Sequence, residues 1–165
     1  MSHILLLEGT KLQVKLGDNL SEPFQVEQGV GQGKILSTKN YKDYIDPELK
    51  LFNASQAGCY IGHLYVATPT CADDVLLLTS CDKDLQKLLS LAFEFSRQEC
   101  FNIHPGKTKI ILYNYKGPKL ENLHQWYLGD KIVNLSQSLE HLGITRYASV
   151  SSTKELISDR IKSAG

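Results

Sequence analysis

Apolar and polar residues alternate along Leu12, Gln13, Val14, Lys15 and Leu16, and the alternation ends at Gly17-Asp18-Asn19, a run of turn formers. It resumes at Phe24-Gln25-Val26, and a period of two on both sides of a turn predicts a β-hairpin. A glycine cluster follows at Gly29, Gly31 and Gly33, after which Leu36, Tyr41, Tyr44 and Ile45 take helical spacing and predict a helix from about Ile35 to Phe52. Pro47 lies inside that segment and predicts a kink or a break, because proline has no N–H for the helical ladder.

From Cys59 to Ser80 the chain is strand-like: Tyr60, Ile61, Leu64, Tyr65 and Val66 precede Cys71-Ala72-Asp73-Asp74, and Val75-Leu76-Leu77-Leu78 follow it. This places Asp73-Asp74 at the tip of a tight hairpin. Asp82 is positioned to cap a helix reaching about Cys100, since Leu85, Leu88, Leu89, Ala92 and Phe93 form one stripe. Full burial of a leucine contributes about 1.5–3 kcal/mol, so the stripe predicts core rather than a ligand site. Asn102 to Gly106 reads as a loop, Ile110-Ile111-Leu112-Tyr113 as β-like and Gly117-Pro118 as a turn. Trp126-Tyr127-Leu128, Ile132-Val133 and Leu139 to Ile144 read as short strands, and Ser152 to Lys162 as a closing helix in which Ser152 caps toward Glu155. The order of hairpin, helix, hairpin, helix and strands is an α+β layout.

With 165 residues, 42% of them hydrophobic and 22% charged, the chain suits one core, hence one domain or part of one. Eighteen basic and eighteen acidic residues cancel, which argues against a binder that relies on net positive charge to hold nucleic acid. The cysteines Cys59, Cys71, Cys81 and Cys100 contain no C-x-x-C pair with zinc spacing, and no secretory leader is evident. These features lead us to expect reduced thiols in an intracellular protein, cytoplasmic or nuclear and not secreted. Ile4-Leu5-Leu6-Leu7 is far shorter than the roughly 20 apolar residues that cross a bilayer, so no membrane partner is expected.

Adjacent aspartates at a hairpin tip repel one another unless a cation compensates. Mg²⁺ suits them, because it takes oxygen ligands and typically uses one or two carboxylates together with substrate phosphates. The plainer alternative is a solvated turn, which aspartate also favours. A second feature spans His104 to Lys119, where Lys107, Lys109, Lys116 and Lys119 are interleaved with Tyr113 and Tyr115 and no acidic residue intervenes. Such a strip can follow phosphates and stack bases, although basic strips also occur on ordinary protein surfaces.

Three blocks in order, Ser21-Glu22-Pro23-Phe24-Gln25-Val26-Glu27-Gln28-Gly29-Val30-Gly31-Gln32-Gly33-Lys34-Ile35-Leu36-Ser37, Tyr44-Ile45-Asp46-Pro47-Glu48-Leu49 and Cys71-Ala72-Asp73-Asp74-Val75-Leu76-Leu77-Leu78, resemble the reverse transcriptase domain of non-LTR retrotransposons. Asn102 with Lys107-Thr108 is similar to the family's loop and lysine after the palm helix. Leu139-Glu140-His141-Leu142-Gly143-Ile144 is similar to its primer-grip strand, and the likeness runs from about Leu7 to Arg146. The resemblance implies a partial polymerase palm over 1–146, an antiparallel sheet with helices on one face, followed by the start of a thumb helix over 147–165. It implies Asp73 and Asp74 as the catalytic pair and ligands of Mg²⁺, with two such ions serving nucleotidyl transfer in the intact family. It also implies Gln32 and Gly33 beside template and nucleotide, Lys107 or Lys109 as the lysine assisting pyrophosphate departure, and an RNA template and DNA primer as partners.

The pattern also departs from the family. The family's first catalytic aspartate lies on a strand upstream of the glutamine-glycine block. Here the residues before Gln32 align with the region after that strand, Glu8 is a poor substitute, and the finger segments are missing. Gly31 stands where the family commonly has arginine, and Thr38 where it has proline. The expectation is therefore a fragment of an RNA-directed DNA polymerase that is inactive alone. The alternative is a non-catalytic nucleic-acid-binding remnant that uses the strip 104–119. A phosphoacceptor pocket of Asp73, Asp74, Thr79 and Lys109 is disfavoured, because Thr79 falls on the same strand as Asp74.

Overall fold

The computed structural model describes residues 11–26, 35–116, 124–142 and 144–149. The glycine cluster with Gln32 and Gly33, the Gly117-Pro118 turn, Lys119 and the helix expected over 152–162 lie outside them. The chain divides into two compact units after Pro47.

In the first unit, β1 (Lys11–Leu12) pairs with β4 (Phe24–Gln25), and β2 (Lys15–Leu16) pairs with β3 (Asn19–Leu20) around a Gly17-Asp18 turn. This is the expected hairpin, with Gly17 at φ +61 where a side chain would be strained. The register shifts by one residue between Lys15↔Leu20 and Leu12↔Phe24, so the returning strand carries one extra residue near Pro23, which has no N–H for the ladder. Ser21 repairs the interruption. Its N–H donates to the Val14 carbonyl at 2.9 Å, its Oγ accepts the Val14 N–H at 2.9 Å, and its carbonyl accepts from Gln13 Nε2 at 3.0 Å. Leu12, Val14, Leu16 and Phe24 remain exposed.

Helix α1 (Ile35–Ala54) runs through Pro47, so the break considered from the sequence does not occur. One missing N–H is tolerated because the turns on either side are anchored by buried residues, Ile45 before the proline and Phe52 after it. Glu48, next to the proline, is only 4% exposed, and burial pushes its carboxyl up to about 7.

The second unit is also α+β. Its strands are β5 (Tyr60–Ile61), β6 (Leu64–Tyr65), β7 (Thr70–Cys71), β8 (Asp74–Val75), β9 (Lys109–Ile110), β10 (Trp126–Leu128), β11 (Lys131–Leu135), β12 (Ser138–His141) and β13 (Ile144–Tyr147). β10, β11 and β9 form a three-stranded sheet in which β9 lies parallel to β11, and the other strands pair as hairpins. Helix α2 (Asp82–Gln98) holds this unit together. Two adjacent stripes of α2 face two clusters. Leu85, Leu89 and Phe93 pack with Ile110, Trp126, Leu128 and Val133, while Leu88, Leu91 and Ala92 pack with Phe52, Ala57, Tyr65 and Val75. Leu77 and Ile103 belong to both clusters.

The ends of α2 differ from expectation. Cys81 occupies the N-cap with no side-chain cap bond, and Asp82 is the first helical residue, its Oδ1 accepting the Lys83 N–H at 2.9 Å. Asp82 and Asp84 still place negative charge in the first turn, where the helix dipole favours it. At the other end Cys100 adopts φ +56 and the Phe101 N–H reaches back to the Ser96 carbonyl at 2.9 Å, a Schellman closure. Phe101 meets Phe95 edge-on at 6.1 Å, the apolar contact that accompanies this motif.

Side chains also join α2 to the surrounding strands. Gln86 grips the Tyr127 backbone with both ends of its carboxamide, donating to the carbonyl at 2.9 Å and accepting the N–H at 2.8 Å, and the Trp126 indole donates to the Asp82 carbonyl at 3.3 Å. Gly129 (φ +64) turns β10 into β11 directly against the Phe93 ring, where a Cβ would come within 2.4 Å of the ring. Leu139 to Ile144 is not one strand: His141 pairs with Ile144 across a turn in which Leu142 sits at φ +55, so the segment folds back as a hairpin.

Two outcomes follow for stability. Leu88 is fully buried, so Leu88→Ala should lower unfolding free energy by about 2–5 kcal/mol in urea titration, whereas Leu16→Ala, on the exposed hairpin, should change it by less than about 0.5 kcal/mol. Folded Glu48 holds its proton more tightly than the unfolded chain, so its burial is harmless below about pH 4.5. Stability should then fall as pH rises through about 7, by on the order of 3 kcal/mol at most, and Glu48→Gln should flatten that part of the pH profile.

Candidate metal and nucleic-acid sites

The Asp-Asp segment lies on a long hairpin. Thr70 pairs with Val75 and Cys71 with Asp74, and the ladder continues through Leu76 N–H to Pro69 O at 3.0 Å and Leu78 N–H to Ala67 O at 2.7 Å. The two-residue loop is therefore Ala72-Asp73, with Asp74 already on the returning strand. Apolar Val75 to Leu78 enters the unit, where Val75 and Leu77 join the clusters around α2.

The base of the hairpin is fastened in three ways. The Cys59 N–H donates to Leu78 O at 3.1 Å and the Cys59 carbonyl accepts from Val66 N–H at 3.0 Å, so the β5–β6 hairpin is tied to the longer one. Gly58 lies so close to Ala67 that a Cβ would come within 2.3 Å of the alanine Cβ. The Gly58 N–H in turn donates to Asp84 Oδ2 at 3.1 Å, linking the hairpin base to the first turn of α2.

The tip itself is solvated. Ala72 adopts φ +51, a region that costs a non-glycine residue about 1–2 kcal/mol. Gln56, Cys100, Asn114 and Leu142 share that region, so strain alone does not mark the tip. Asp73 and Asp74 are both exposed, and neither carboxylate forms a hydrogen bond or ion pair with a described residue. Among the described residues no group of three or more His, Cys, Asp or Glu side chains could hold a metal ion. The pair offers the one or two carboxylates that Mg²⁺ normally takes, and the remaining positions would fall to water. Lys107 and Lys109 are exposed and neither pairs with Asp73 or Asp74, so the structure does not bring the sequence-derived acids and lysines into contact.

The basic strip is better organised. Lys107 and Thr108 both direct their N–H groups to the His104 carbonyl at 3.1 Å, which closes the loop before β9. In β9 Lys109 is exposed while Ile110 is buried against Trp126 and Val133, and Tyr113, Tyr115 and Lys116 are exposed further along the chain. Lys119, the last member of the strip, lies outside the described residues, as do Gln32 and Gly33.

The structure adds a feature that the sequence did not suggest. A cleft of about 520 Å³ opens beside the end of the strip, lined by Tyr115 and Lys116 among others and facing Leu135 to Gln137 across from β9. Its walls meet through the parallel β9–β11 pairing, a long-range register with no local sequence signal. A second cleft, of about 440 Å³, lies between the end of α1 and the β5–β6 hairpin, at Asn53, His63 and Tyr65. Asp73 and Asp74 line neither. No helix among the described residues is long and apolar enough to cross a membrane.

Compared with protein-family models, curated proteins and solved structures, the chain matches none.

Proposed function

We propose that the chain is a fragment of an RNA-directed DNA polymerase of the non-LTR retrotransposon type, carrying part of the palm and unable to polymerise alone. The observation that carries this reading is the Asp73-Asp74 hairpin. Asp73 stands in the turn of a paired β-ribbon and Asp74 opens its returning strand, which is otherwise apolar and packed against α2. A carboxylate pair placed there can hold a hydrated Mg²⁺ at a surface accessible to a phosphate chain. When bound, that ion would supply Lewis acidity and neutralise charge on the transferring phosphoryl group. Asp73 and Asp74 would position it.

Inactivity rests on what surrounds the pair. No third acidic ligand lies near it among the described residues, and neither candidate lysine reaches it. The first hairpin leaves Leu12, Val14, Leu16 and Phe24 exposed, and strand edges with uncovered apolar residues are what part of a larger sheet would present.

A second reading, a nucleic-acid-binding remnant, has its own support: the lysines and tyrosines of 107–116 are exposed, and that stretch of chain ends at a cleft.

Primer extension tests the first reading. The isolated chain, given an RNA template, a DNA primer, deoxynucleotides and Mg²⁺, is expected to show no extension above background. A fusion that supplies reverse-transcriptase fingers and the first aspartate-bearing strand is expected to extend the primer, and Asp73→Asn should lower that activity by roughly 100-fold or more. Robust extension by the isolated chain would overturn the inactivity, and fusion activity indifferent to Asp73→Asn would overturn the role of the pair.

A further inference from the structure

We propose that the cleft beside β9 binds one nucleotide of a single-stranded nucleic acid, with the base against Tyr115 and a phosphate at Lys116. The proposal rests on reading 104–116 as a nucleic-acid strip and gives that strip a defined end point. Leu112 and Leu135 supply the apolar part of the cleft, and the polar part comes from Asn114, Tyr115, Lys116 and Gln137. Among the described residues none of those lining it is acidic. The nearest stretch of chain, from His104 to Lys116, contains none either, so the surface complements a phosphate chain.

The cleft is held by backbone bonds that leave these side chains free. Asn114 sits at φ +51, a conformation that asparagine tolerates, and its N–H donates to the Ala148 carbonyl at 2.9 Å. The Ala148 N–H donates in turn to the Gln137 carbonyl at 2.9 Å, so one residue fastens both walls. The Ser136 N–H closes the floor by donating to Ile110 O at 2.8 Å. The carboxamides of Asn114 and Gln137, the Tyr115 hydroxyl and the Lys116 ammonium make no hydrogen bond or ion pair with a described residue.

That set of groups selects a ligand class. A carboxamide offers a donor and an acceptor side by side, which suits the edge of a base, and two carboxamides stand in one cleft. An aromatic ring stacks a base, and a lysine compensates a phosphate. An unpaired strand exposes all three of its features at once, whereas a duplex hides its base faces. The volume of about 520 Å³ lies within the usual range for small-ligand sites, roughly 300–1,000 Å³.

Fluorescence anisotropy of a labelled short oligouridylate on the full chain tests this, with uridine monophosphate and inorganic phosphate as competitors at matched ionic strength. Tyr115→Leu and Gln137→Ala are each expected to weaken oligonucleotide binding by about tenfold, and Tyr115→Phe, which keeps the ring, to weaken it less than Tyr115→Leu does. Uridine monophosphate should compete and inorganic phosphate should not. Lys107→Ala with Lys109→Ala should lower the salt dependence by about 0.7 per lysine without affecting mononucleotide binding. Gln137→Ala carries the test if Tyr115→Leu fails to fold by its urea midpoint. Binding that is indifferent to both cleft variants would overturn the cleft while leaving the strip. Mononucleotide binding lost in Tyr115→Leu, with oligonucleotide affinity untouched by the lysine pair, would support the cleft and overturn the strip. No oligonucleotide binding at low salt would overturn both.

Discussion

Burial of two neighbouring stripes on helix α2 is the constraint on which the second unit depends. Leu85, Leu89 and Phe93 cover the three-stranded sheet, while Leu88, Leu91 and Ala92 cover the end of α1 and the Asp-bearing hairpin. Neither partner could be well covered alone: the sheet has only three strands, and the hairpins pair over two residues each in regular ladder. Isolated hairpins of that size are marginal in water. Polar links then set the register, with Asp84 on the Gly58 N–H and Gln86 on the Tyr127 backbone, so apolar burial supplies the driving force and hydrogen bonds the alignment.

This arrangement fixes where chemistry can occur. The hairpin is hydrogen-bonded and packed where it enters the unit and exposed at its tip, so Asp73 and Asp74 are presented rather than enclosed. Enclosure matters because carboxylate and metal gain most from each other where water is excluded. A solvated pair can bind a divalent ion, but its ligands alone do not hold that ion in a fixed geometry for reaction. The stretch from Lys107 to Lys116 has a different setting: its lysines and tyrosines are exposed, and its far end meets a cleft tied together through Ala148.

Much of the local structure was legible in the sequence, because it follows from short periodicities. The period-two run about Gly17 and the Leu85 to Phe93 stripe appear where the pattern places them, while the hairpin expected to turn at Asp73-Asp74 turns one residue earlier, at Ala72-Asp73. Boundaries were less legible where two rules compete. Pro47 disfavours a helix interior, yet buried anchors on both sides keep α1 continuous. Asp82 is a good capping residue, but the chain enters α2 one residue earlier at Cys81. Leu139 to Ile144 lacks a recognisable turn pair, since Leu142 takes a positive φ that leucine seldom adopts, and its fold-back went unread. The cleft was hidden for a different reason: it depends on β9 lying parallel to a strand more than twenty residues later, and on Ala148 joining both walls. For the acids, the sequence located the turn but could not reveal that no third ligand lies beside them among the described residues.

The most direct test of the metal-pair account is paramagnetic broadening of backbone amide signals as Mn²⁺ is titrated into the isolated chain in place of Mg²⁺. The account expects weak, saturable broadening centred on Ala72 to Val75, lost when Asp73 and Asp74 are both changed to asparagine, with the amides of α2 still at their folded positions. Broadening that spares the hairpin tip, or persists there unchanged in the double variant, would contradict it.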